Sequence, residues 1–534
     1  MNEPTTSASG AAAATKASEK LDRRVLAIGG VVVLGAIMAM LDITVVNVAL
    51  DQLIIEFDTT LNTMQWVATG YTLALATVIP LSGWAADRFG TKRVYLTAVF
   101  LFVAGSALAG TAWSAESLIL FRVLQGLGGG MLLPLSMTIL TQAAGPGRIG
   151  RVMAVLGIAM QLGPIVGPVL GGWLVDDVSW RSIFYVNVPV GIVTLLLGMR
   201  ILPPDERRPA AKLDGVGLLL LSPGLAALIY GLAQVPSHEG LAHPEVYLPA
   251  GAGAALVIAF LWHAARTPHA LIDLKLFRDR GFAIATATMA LFMIAFFGTM
   301  LLFPLYFQQV RAESALNAGL LLAPQGIGVM IMMPITGRLV DRGYAARLVP
   351  LGIVVIAAAM AAFTQLTDTT SYWTIGTGLF VLGLGMAMVG MPNMSIALKT
   401  LRPRDIARAS TSLTIIQQVA ASIGTAMLSV ILFSEVKDRL APAVAELRAQ
   451  APPGTEPPAT ASMWDLPEQV RQLLAPSLAD AYASTFAWAL ALLALSLIPA
   501  LFRLRDKAPA DAPDRPAERD EAPVPEPAGN HDRH

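Results

Sequence analysis

The stretch LDITVVNVALD, from Leu41 to Asp51, places a carboxylate inside a segment that otherwise suits a lipid environment. Between Val25 and Leu50, Asp42 is the only ionisable residue. A helix that crosses the ~30 Å hydrocarbon layer needs about 20 apolar residues, and this run meets that length. A charge at such a depth costs at least ~2.5 kcal/mol, so acidic residues inside a membrane usually face a cavity and serve ion or substrate movement. We therefore favour a functional role for Asp42 over a structural hydrogen bond between helices.

The composition of the whole chain is that of a membrane protein. The chain has 534 residues, of which 55% are hydrophobic and 14% are charged, and its mean hydropathy is +0.62. The first apolar run is too long for a signal-peptide core, so we interpret it as a retained first helix. The chain has no cysteine, which excludes disulfides, thiolate metal sites and iron–sulfur clusters. Its balanced net charge gives no indication of a nucleic-acid partner.

Hydropathy predicts an all-α polytopic membrane protein with 14 transmembrane helices, grouped as six, two and six. The predicted spans are 25–50, 63–86, 94–113, 116–141, 151–175, 182–202, 214–235, 245–265, 281–309, 317–339, 347–367, 373–398, 405–434 and 481–502. The terminal segments, 1–24 and 506–534, are rich in small and polar residues and cannot build a core, so we expect both to be disordered. We expect 435–480 to be a mobile external loop with a short helix.

The basic residues are distributed unequally between the two sets of loops. One set carries most of the arginines and lysines, whereas the short loops of the other set hold only Arg181 and Arg311. Because cytoplasmic loops are enriched in Lys and Arg, both termini are predicted to lie in the cytoplasm and 435–480 outside.

The two halves of the chain also resemble each other. PLSGWAADR, from Pro80 to Arg88, matches PITGRLVDR, from Pro334 to Arg342. Each copy ends the second predicted helix of a group of six, as a parallel duplication requires. We therefore divide the chain into an N-terminal six-helix bundle at 25–205, a linker with two extra helices at 206–275, and a C-terminal six-helix bundle at 276–505.

The loop after the second helix, GWAADRFGTKR, combines small residues with a carboxylate and a basic cluster. Gly83 allows two helices to approach closely, and Asp87 can accept hydrogen bonds from a helix N-terminus or from an arginine. Arg88, Gly90 and Arg93 complete the pattern. We interpret the loop as a cytoplasmic latch, against the alternative of basic residues that only set topology. The second copy favours the latch, and its corresponding residues are Gly337, Asp341 and Arg342.

The fourth predicted helix contains LFRVLQGLGGG, in which Arg122 lies about 9 Å below the outer boundary at 1.5 Å per residue. The same reckoning places Asp42 about 25 Å from the inner boundary, which is nearly the same depth. Arg122 is therefore the predicted counter-ion of Asp42, and Gln125 shares its helix face. Since arginine keeps its proton, it can hold Asp42 charged until a proton or a cationic substrate competes. The alternative is a permanent structural ion pair.

The fifth predicted helix contains GIAMQLGPIVGPVLGG, where small residues recur every four positions. Such a face permits close helix packing, and proline residues bend a helix. We expect a bent helix at the interface between the halves, formed by Gly157, Gly163, Pro164, Gly167, Pro168, Gly171 and Gly172.

Together these motifs resemble those of the major facilitator superfamily, and specifically its fourteen-helix drug:proton antiporter branch, the EmrB/QacA type. The branch shows LDxTVVNVALP in helix one, GxLADRxGxK after helix two, RxxQG in helix four and GxxxGPxxGG in helix five. The chain departs from it at Asp51, where proline is usual, and at Ala85, where leucine is usual. WRSIFYVNVPVG before helix six and LIDLKLF before helix nine are also similar to the branch.

The resemblance implies a major facilitator fold, two six-helix bundles plus two extra linker helices, in a bacterial cytoplasmic (inner) membrane. It implies a proton-coupled exporter of lipophilic, often cationic compounds that uses the proton gradient and no cofactor. Asp42 and Arg122 would couple protons to transport. For a Gram-negative source, a periplasmic adaptor and an outer-membrane channel would be partners. A dedicated exporter of a single natural product or lipid is the alternative.

Other classes of function have less support in the sequence. Apolar and aromatic residues that suit a tolerant substrate cavity are Tyr71, Met131, Phe303 and Tyr306, and the polar Gln125 is a candidate for the same cavity. A membrane enzyme with catalytic or metal-binding residues inside the bilayer is unsupported, because all six histidines lie in loops, span ends or the tail. There is no Gly-x-x-x-x-Gly-Lys-Ser/Thr loop for nucleotide binding. A sensor that does not transport would have no use for two latches.

Overall fold

The computed structural model describes residues 22–144, 148–205, 213–235, 238, 241–267, 270–399, 401, 405–450 and 468–505. Helices account for the regular structure throughout these residues. Both predicted disordered tails lie almost wholly outside the described part of the chain.

Fourteen long helices cross the described structure. They are α1 (Arg23–Glu56), α2 (Leu61–Phe89), α3 (Thr91–Gly110), α4 (Ala115–Ala144), α5 (Ile149–Asp177), α6 (Asn187–Ile201), α7 (Gly215–Ala233), α8 (Pro244–Arg266), α9 (Arg280–Gln309), α10 (Ala323–Asp341), α11 (Ala345–Phe363), α12 (Tyr372–Lys399), α13 (Ile406–Gln450) and α14 (Glu468–Arg505). Short helices at Ser182–Tyr185 and Ala315–Leu321 precede α6 and α10, and a 3₁₀ helix at Leu274–Arg278 precedes α9.

The helices have the length and composition of membrane spans. Among the described residues, 13 helices are long and apolar enough to cross a membrane. The remaining long helix, α5, has no ionisable residue between Arg151 and Asp176. The prediction of an all-α, polytopic membrane protein is therefore confirmed.

The helices form two bundles with the same internal packing. In the first bundle α1 packs on α4, α5 and α6, while α4 packs on α2 and α3. In the second, α9 packs on α12, α13 and α14, while α12 packs on α10 and α11. The bundles meet along two seams, α2 against α13 and α5 against α10. In this packing α2 corresponds to α10 and α5 corresponds to α13, so one seam is the counterpart of the other. The molecule therefore has approximate two-fold symmetry.

The two linker helices form a hairpin beside one of these seams. Helix α7 packs on α2 and α13, and α8 packs on α7. The hairpin therefore contacts one helix from each bundle.

The prediction of a mobile loop over 435–480 is wrong for much of that segment. Helix α13 continues to Gln450, and α14 begins at Glu468. Hydropathy falls after residue 434, but Ala, Leu, Glu and Arg favour the helix even where the residues are polar. A pair four residues apart, Arg439 with Glu435 at 3.1 Å, adds to this preference. The rest of the predicted loop, 451–467, lies outside the described residues.

Candidate functional site

Asp42 lies in a hydrogen-bonded polar network inside the N-terminal bundle. Its Oδ2 atom is 2.5 Å from Nη1 of Arg122, and its Oδ1 atom accepts hydrogen bonds from Gln125 Nε2 at 2.8 Å and Asn187 Nδ2 at 3.0 Å. Asp42 and Arg122 are each 1% exposed. The ion pair expected from the sequence is thus present, and Gln125 joins it.

Small residues on α4 let the network form. A Cβ atom on Gly126 would come within 2.5 Å of the Tyr71 carbonyl oxygen on α2, and one on Gly128 would come within 2.5 Å of the Phe102 nitrogen on α3. Because glycine removes these clashes, α4 lies directly against both neighbours and its side chains reach the bundle centre.

Two further members of the network escaped the sequence analysis. Asn187 Nδ2 donates to Ser106 Oγ at 3.1 Å as well as to Asp42, and Ser106 Oγ donates to the Phe184 carbonyl at 2.9 Å. Asn187 stands in the quoted VNVPVG motif, as a polar residue within an apolar run, which is a signal that sequence reasoning could have used. Ser106 carries no such signal, because a lone serine in a membrane helix commonly bonds its own backbone.

Arg122 is held by more than its carboxylate partner. Its Nη1 atom donates to Gln125 Oε1 at 2.7 Å, and its Nε atom donates to the Val67 carbonyl at 3.3 Å. Its guanidinium carbon lies 4.2 Å from the centre of the Tyr71 ring. A buried arginine with hydrogen-bonded and aromatic partners is a fixed positive charge, and here it lies directly beside the Asp42 side chain.

The first predicted latch joins the two bundles. Asp87, at the end of α2, lies 3.2 Å from Arg408 Nε at the start of α13. Next to it, a hydrogen bond of 3.1 Å joins the hydroxyl oxygens of Ser82 and Thr411. A Cβ atom on Gly83 would come within 2.8 Å of Thr411 Oγ1, so glycine permits this close crossing.

The second copy of the motif makes the equivalent contact at the other seam. Asp341, at the end of α10, forms an ion pair with Arg151 at the start of α5. The two ion pairs lie at the same end of the molecule, which we call the latch end. Arg88 and Arg342 are both exposed.

Gly90 and Lys92 of the first motif brace the N-terminal bundle instead. Gly90 has a φ of +94°, a conformation that favours glycine. The carboxylate of Asp205 accepts from the backbone nitrogens of Lys92 at 2.8 Å and Arg93 at 3.2 Å, at the N-terminus of α3. Lys92 Nζ donates to the carbonyls of Met199 and Leu202 near the end of α6. The motif therefore ties the α2–α3 turn to α6, and Asp205 is a member that the sequence analysis did not single out.

The glycines of α5 divide between two neighbours. Gly163, Gly167 and Gly171 face α1, where a Cβ atom would meet Met40, Thr44 and Val45, respectively. Gly157 alone of the predicted glycines faces the other bundle, against Met333 and Met391, while a Cβ on Gly172 would have no neighbour within 4 Å among the described residues. The expected packing between the halves thus applies mainly to Gly157. The side chains of Pro164 and Pro168 lie outside the described residues.

The residues predicted to line a substrate cavity are buried or packed in this conformation. Phe303 packs against Phe363 and Phe486, with ring centres 4.9 Å away in each case. Tyr306 donates to the Thr367 carbonyl at 2.7 Å. Tyr71 and Gln125 belong to the network around Asp42, and Met131 packs against the core. Their role with substrate stays a prediction.

A cavity of about 650 Å³ opens at the latch end. Its walls come from the starts of α1, α3 and α13, the ends of α2, α4 and α12, and the segment that follows α6. The lining mixes both signs of charge, with Asp22, Arg24, Lys92, Asp205 and Lys399 among its residues. The volume is in the range of sites for drug-sized molecules.

Comparison with known proteins agrees with the two-bundle fold and its motifs. Residues 32–425 match the model of the Major Facilitator Superfamily. The chain belongs to this superfamily, and it is a transporter rather than an enzyme. Its relatives place it in the EmrB-type efflux branch of the superfamily, as the motifs indicated.

Three relatives illustrate the similarity. The multidrug resistance protein B homolog of Mycobacterium tuberculosis (strain ATCC 25618 / H37Rv) is 44% identical over 497 residues, which is 92% of each chain. The multidrug export protein EmrB of Escherichia coli (strain K12) is 32% identical over 74% of this chain and 77% of its own. EmrB of Haemophilus influenzae (strain ATCC 51907 / DSM 11121 / KW20 / Rd) is 32% identical over 74% of this chain and 78% of its own.

Two solved structures share the fold. The human organic anion transporter MFSD10 (TETRAN) superposes with a TM-score of 0.59 at 16% identity, covering 89% of this chain and 100% of that one. A bacterial homolog of the human lysosomal transporter Spinster, in an inward-facing and unoccupied conformation, gives 0.52 at 16% identity, covering 92% and 100%.

Proposed function

We propose that this chain is a proton-coupled antiporter that exports lipophilic, often cationic compounds by alternating access. The observation that carries the proposal is Asp42, a carboxylate 1% exposed inside a membrane bundle. Holding a charge there is costly, and neutral hydrogen-bonding side chains can join membrane helices without it. The names of the relatives support export of many compounds, and the acidic residue supports protons as the energy source.

In the proposed cycle, Asp42 exchanges a proton for a cation. In the conformation described here, Arg122, Gln125 and Asn187 all donate to Asp42, which favours its charged form. A proton that reaches Asp42 removes its charge and loosens its hold on Arg122, so the helices that carry the two residues can move relative to each other. A lipophilic cation would compete for the same carboxylate. Because only one of the two can be bound, movement of one is coupled to movement of the other.

The latches supply the two states that alternating access requires. The ion pairs Asp87 with Arg408 and Asp341 with Arg151 hold both seams together at the latch end. Breaking them would free the bundles to separate at that end. We assign the 650 Å³ cavity beside them as the vestibule through which a compound enters.

The proposal places the protein in a bacterial inner membrane, with the latch end and both termini in the cytoplasm. The excess of basic residues in the loops at this end supports that orientation. In a Gram-negative source, a periplasmic adaptor and an outer-membrane channel would complete the export path.

The test is transport by purified protein in proteoliposomes. With a pH gradient imposed, wild type should drive uphill export of lipophilic cations and release protons when substrate is added. Asp42→Asn should abolish this coupling, and Arg122→Ala should fail as well, because Asp42 would lose its counter-ion. Asp58→Asn is the control, since Asp58 is exposed beyond the end of the same helix and its left-handed backbone suits asparagine.

Two results would change the proposal. Uphill cation export at the wild-type rate by Asp42→Asn would place proton coupling elsewhere. Export confined to one compound, across a panel of cationic dyes, antibiotics and lipids, would favour the dedicated exporter.

A further inference from the structure

Three potential metal ligands meet at the tip of the α7–α8 hairpin, and none of them belongs to the network around Asp42. His238 follows the end of α7, His243 caps the start of α8, and Glu245 lies in the first turn of α8. One ligand atom from each lies within 4.8 Å of the other two. The two imidazole rings have centres 4.3 Å apart. Metal ligation inside the bilayer has no support in the sequence, whereas this tip lies at the ends of two spans.

The hydrogen bonds of His238 orient it as a metal ligand. Its Nδ1 atom lies 3.0 Å from the Gln234 carbonyl, which can only accept, so Nδ1 carries the proton. In the neutral ring, Nε2 then presents a lone pair. A backbone carbonyl that fixes the tautomer in this way is the usual outer partner of a histidine that binds metal.

The contact between His238 and Glu245 requires a positive charge. Nε2 of His238 lies 3.2 Å from Oε2 of Glu245. With Nδ1 protonated, the neutral ring would set two acceptors against each other. Either a second proton on the ring or a shared cation removes this conflict. Ligands bound to zinc at ~2.1 Å in tetrahedral geometry are separated by roughly 3.4 Å, close to the distance already present.

His243 completes the set with a weakly engaged ring. Its Nδ1 atom accepts only a 3.4 Å hydrogen bond from the backbone nitrogen of Glu245. A metal ion could therefore bind the His243 imidazole with little loss of existing hydrogen bonds. Two imidazoles and one carboxylate suit zinc and its neighbours in the first transition row, with water in the remaining position.

We propose that His238, His243 and Glu245 form a binding site for a divalent transition metal, with Zn²⁺ as its representative, and that the bound metal restrains the hairpin. This inference goes beyond the proposed export function and does not depend on it.

The position of the hairpin tip connects the site to transport. Near the tip, Tyr230 of α7 stacks on Trp66 of α2, with ring centres 5.5 Å apart. Val235 and Val246, on either side of the tip, pack with Ala426 of α13. The tip thus touches both bundles at the end of the α2–α13 seam opposite the latches. A metal that joins the two arms of the hairpin should hinder the movement of α2 relative to α13.

The first experiment measures zinc binding by full-length protein in detergent, purified without a histidine tag, against a chromophoric zinc indicator. All chains carry His531→Ala and His534→Ala, because the C-terminal tail has two further imidazoles. Glu245→Gln and His243→Asn should weaken binding by at least roughly tenfold. His243→Asn retains a residue that caps a helix, so loss of binding cannot be attributed to loss of the cap. His263→Asn, at the other end of the hairpin, should bind as the parent does.

The second experiment identifies the ligands and the effect. X-ray absorption of the zinc-loaded protein should show two imidazoles and oxygen donors. Zinc should slow transport by the parent chain and leave Glu245→Gln unaffected. Equal zinc affinity in the parent, Glu245→Gln and His243→Asn would overturn the site and leave a hydrogen-bonded helix cap. Tight zinc binding with unchanged transport would show that the bound metal does not restrain the hairpin. Because binding is measured without transport, either failure is distinguishable from a failure of the proposed antiport.

Discussion

The two six-helix bundles share a backbone arrangement and differ in the chemistry at their centres. Gly126 in α4 presses against the Tyr71 carbonyl of α2, and Gly383 in α12 presses against the Gln325 carbonyl of α10. Gly128 and Gly385 make the corresponding approaches to α3 and α11. Gly126 therefore corresponds to Gly383, and Gly128 corresponds to Gly385.

At corresponding places, the first bundle carries a charged network and the second carries an apolar core. Arg122 and Gln125, four residues and one residue before Gly126, correspond to Leu379 and Leu382 before Gly383. Both leucines are buried. Beside Leu382, the C-terminal bundle has a small cavity of about 10 Å³, which Phe292, Thr299 and Gln325 also line. The latches, in contrast, occur in both bundles. In the proposed mechanism, the latches present in both bundles would serve gating, and the charged network of the N-terminal bundle would serve coupling.

The largest effect is expected when Arg122 of the N-terminal bundle is replaced by leucine, the residue at the corresponding position of the C-terminal bundle. Arg122→Leu leaves a buried carboxylate without its counter-ion, which should cost ~3–5 kcal/mol of stability and abolish proton-driven transport. Thermal unfolding in detergent and transport in proteoliposomes measure the two effects. The double variant Asp42→Asn with Arg122→Leu should regain most of the stability but no coupling. Wild-type stability in Arg122→Leu alone would show that Asp42 finds another partner or is uncharged.

The latches test the symmetric part of the comparison. Asp87→Asn and Asp341→Asn each remove the charge from one inter-bundle pair, leaving the protein inserted and folded. A charged hydrogen bond contributes ~1.5–3 kcal/mol, so the balance between closed and open latch ends should shift by roughly ten- to hundredfold. Distances between spin labels on α2 and α13 report this balance, and transport should slow strongly. Similar shifts in both variants are expected from the symmetry. Normal turnover in Asp87→Asn would mean that Asp87 only sets the membrane topology and does not act in a latch.

The turns after the two latches differ in how tightly they are packed. Gly90 and Gly343 both have φ near +90°, so alanine at either should cost ~1–2 kcal/mol from the backbone alone. At Gly90 the new Cβ atom would also overlap the Asp205 side chain, whereas at Gly343 it would meet nothing within 4 Å among the described residues. We expect Gly90→Ala to lower the unfolding temperature more than Gly343→Ala. Equal losses would mean that Asp205 moves aside without penalty.

Periodicity and motifs predicted the spans, the repeat, the Asp42–Arg122 pair and a latch, because each depends on residues that stand out in an apolar sequence. They did not predict Ser106 or Asp205, whose roles depend on helices distant in sequence. The assignment of Phe303 and Tyr306 to a substrate cavity stays a prediction, because aromatic side chains in a membrane helix serve a packed core equally well. The end of α13 and the start of α14 were missed, because hydropathy indicates which residues lie in the membrane and not where a helix ends.

The smallest effect is expected at the position that corresponds to Gln125 in the apolar bundle. Leu382→Met conserves volume, and a flexible thioether can occupy the neighbouring small cavity, so the loss of stability should stay below ~1.5 kcal/mol. Gln325 nearby already has Met300 and Met386 sulfurs as its neighbours, at 3.5 Å and 3.1 Å, so another sulfur fits the local chemistry. Leu382→Gln is the contrasting variant, because it buries an amide with few partners and should cost ~1–3 kcal/mol. If the C-terminal bundle has no part in coupling, neither substitution should alter the number of protons released per substrate in proteoliposomes. A changed stoichiometry in the folded Leu382→Met protein would mean that the apolar centre also takes part in proton coupling, and the division between the two bundles would fail.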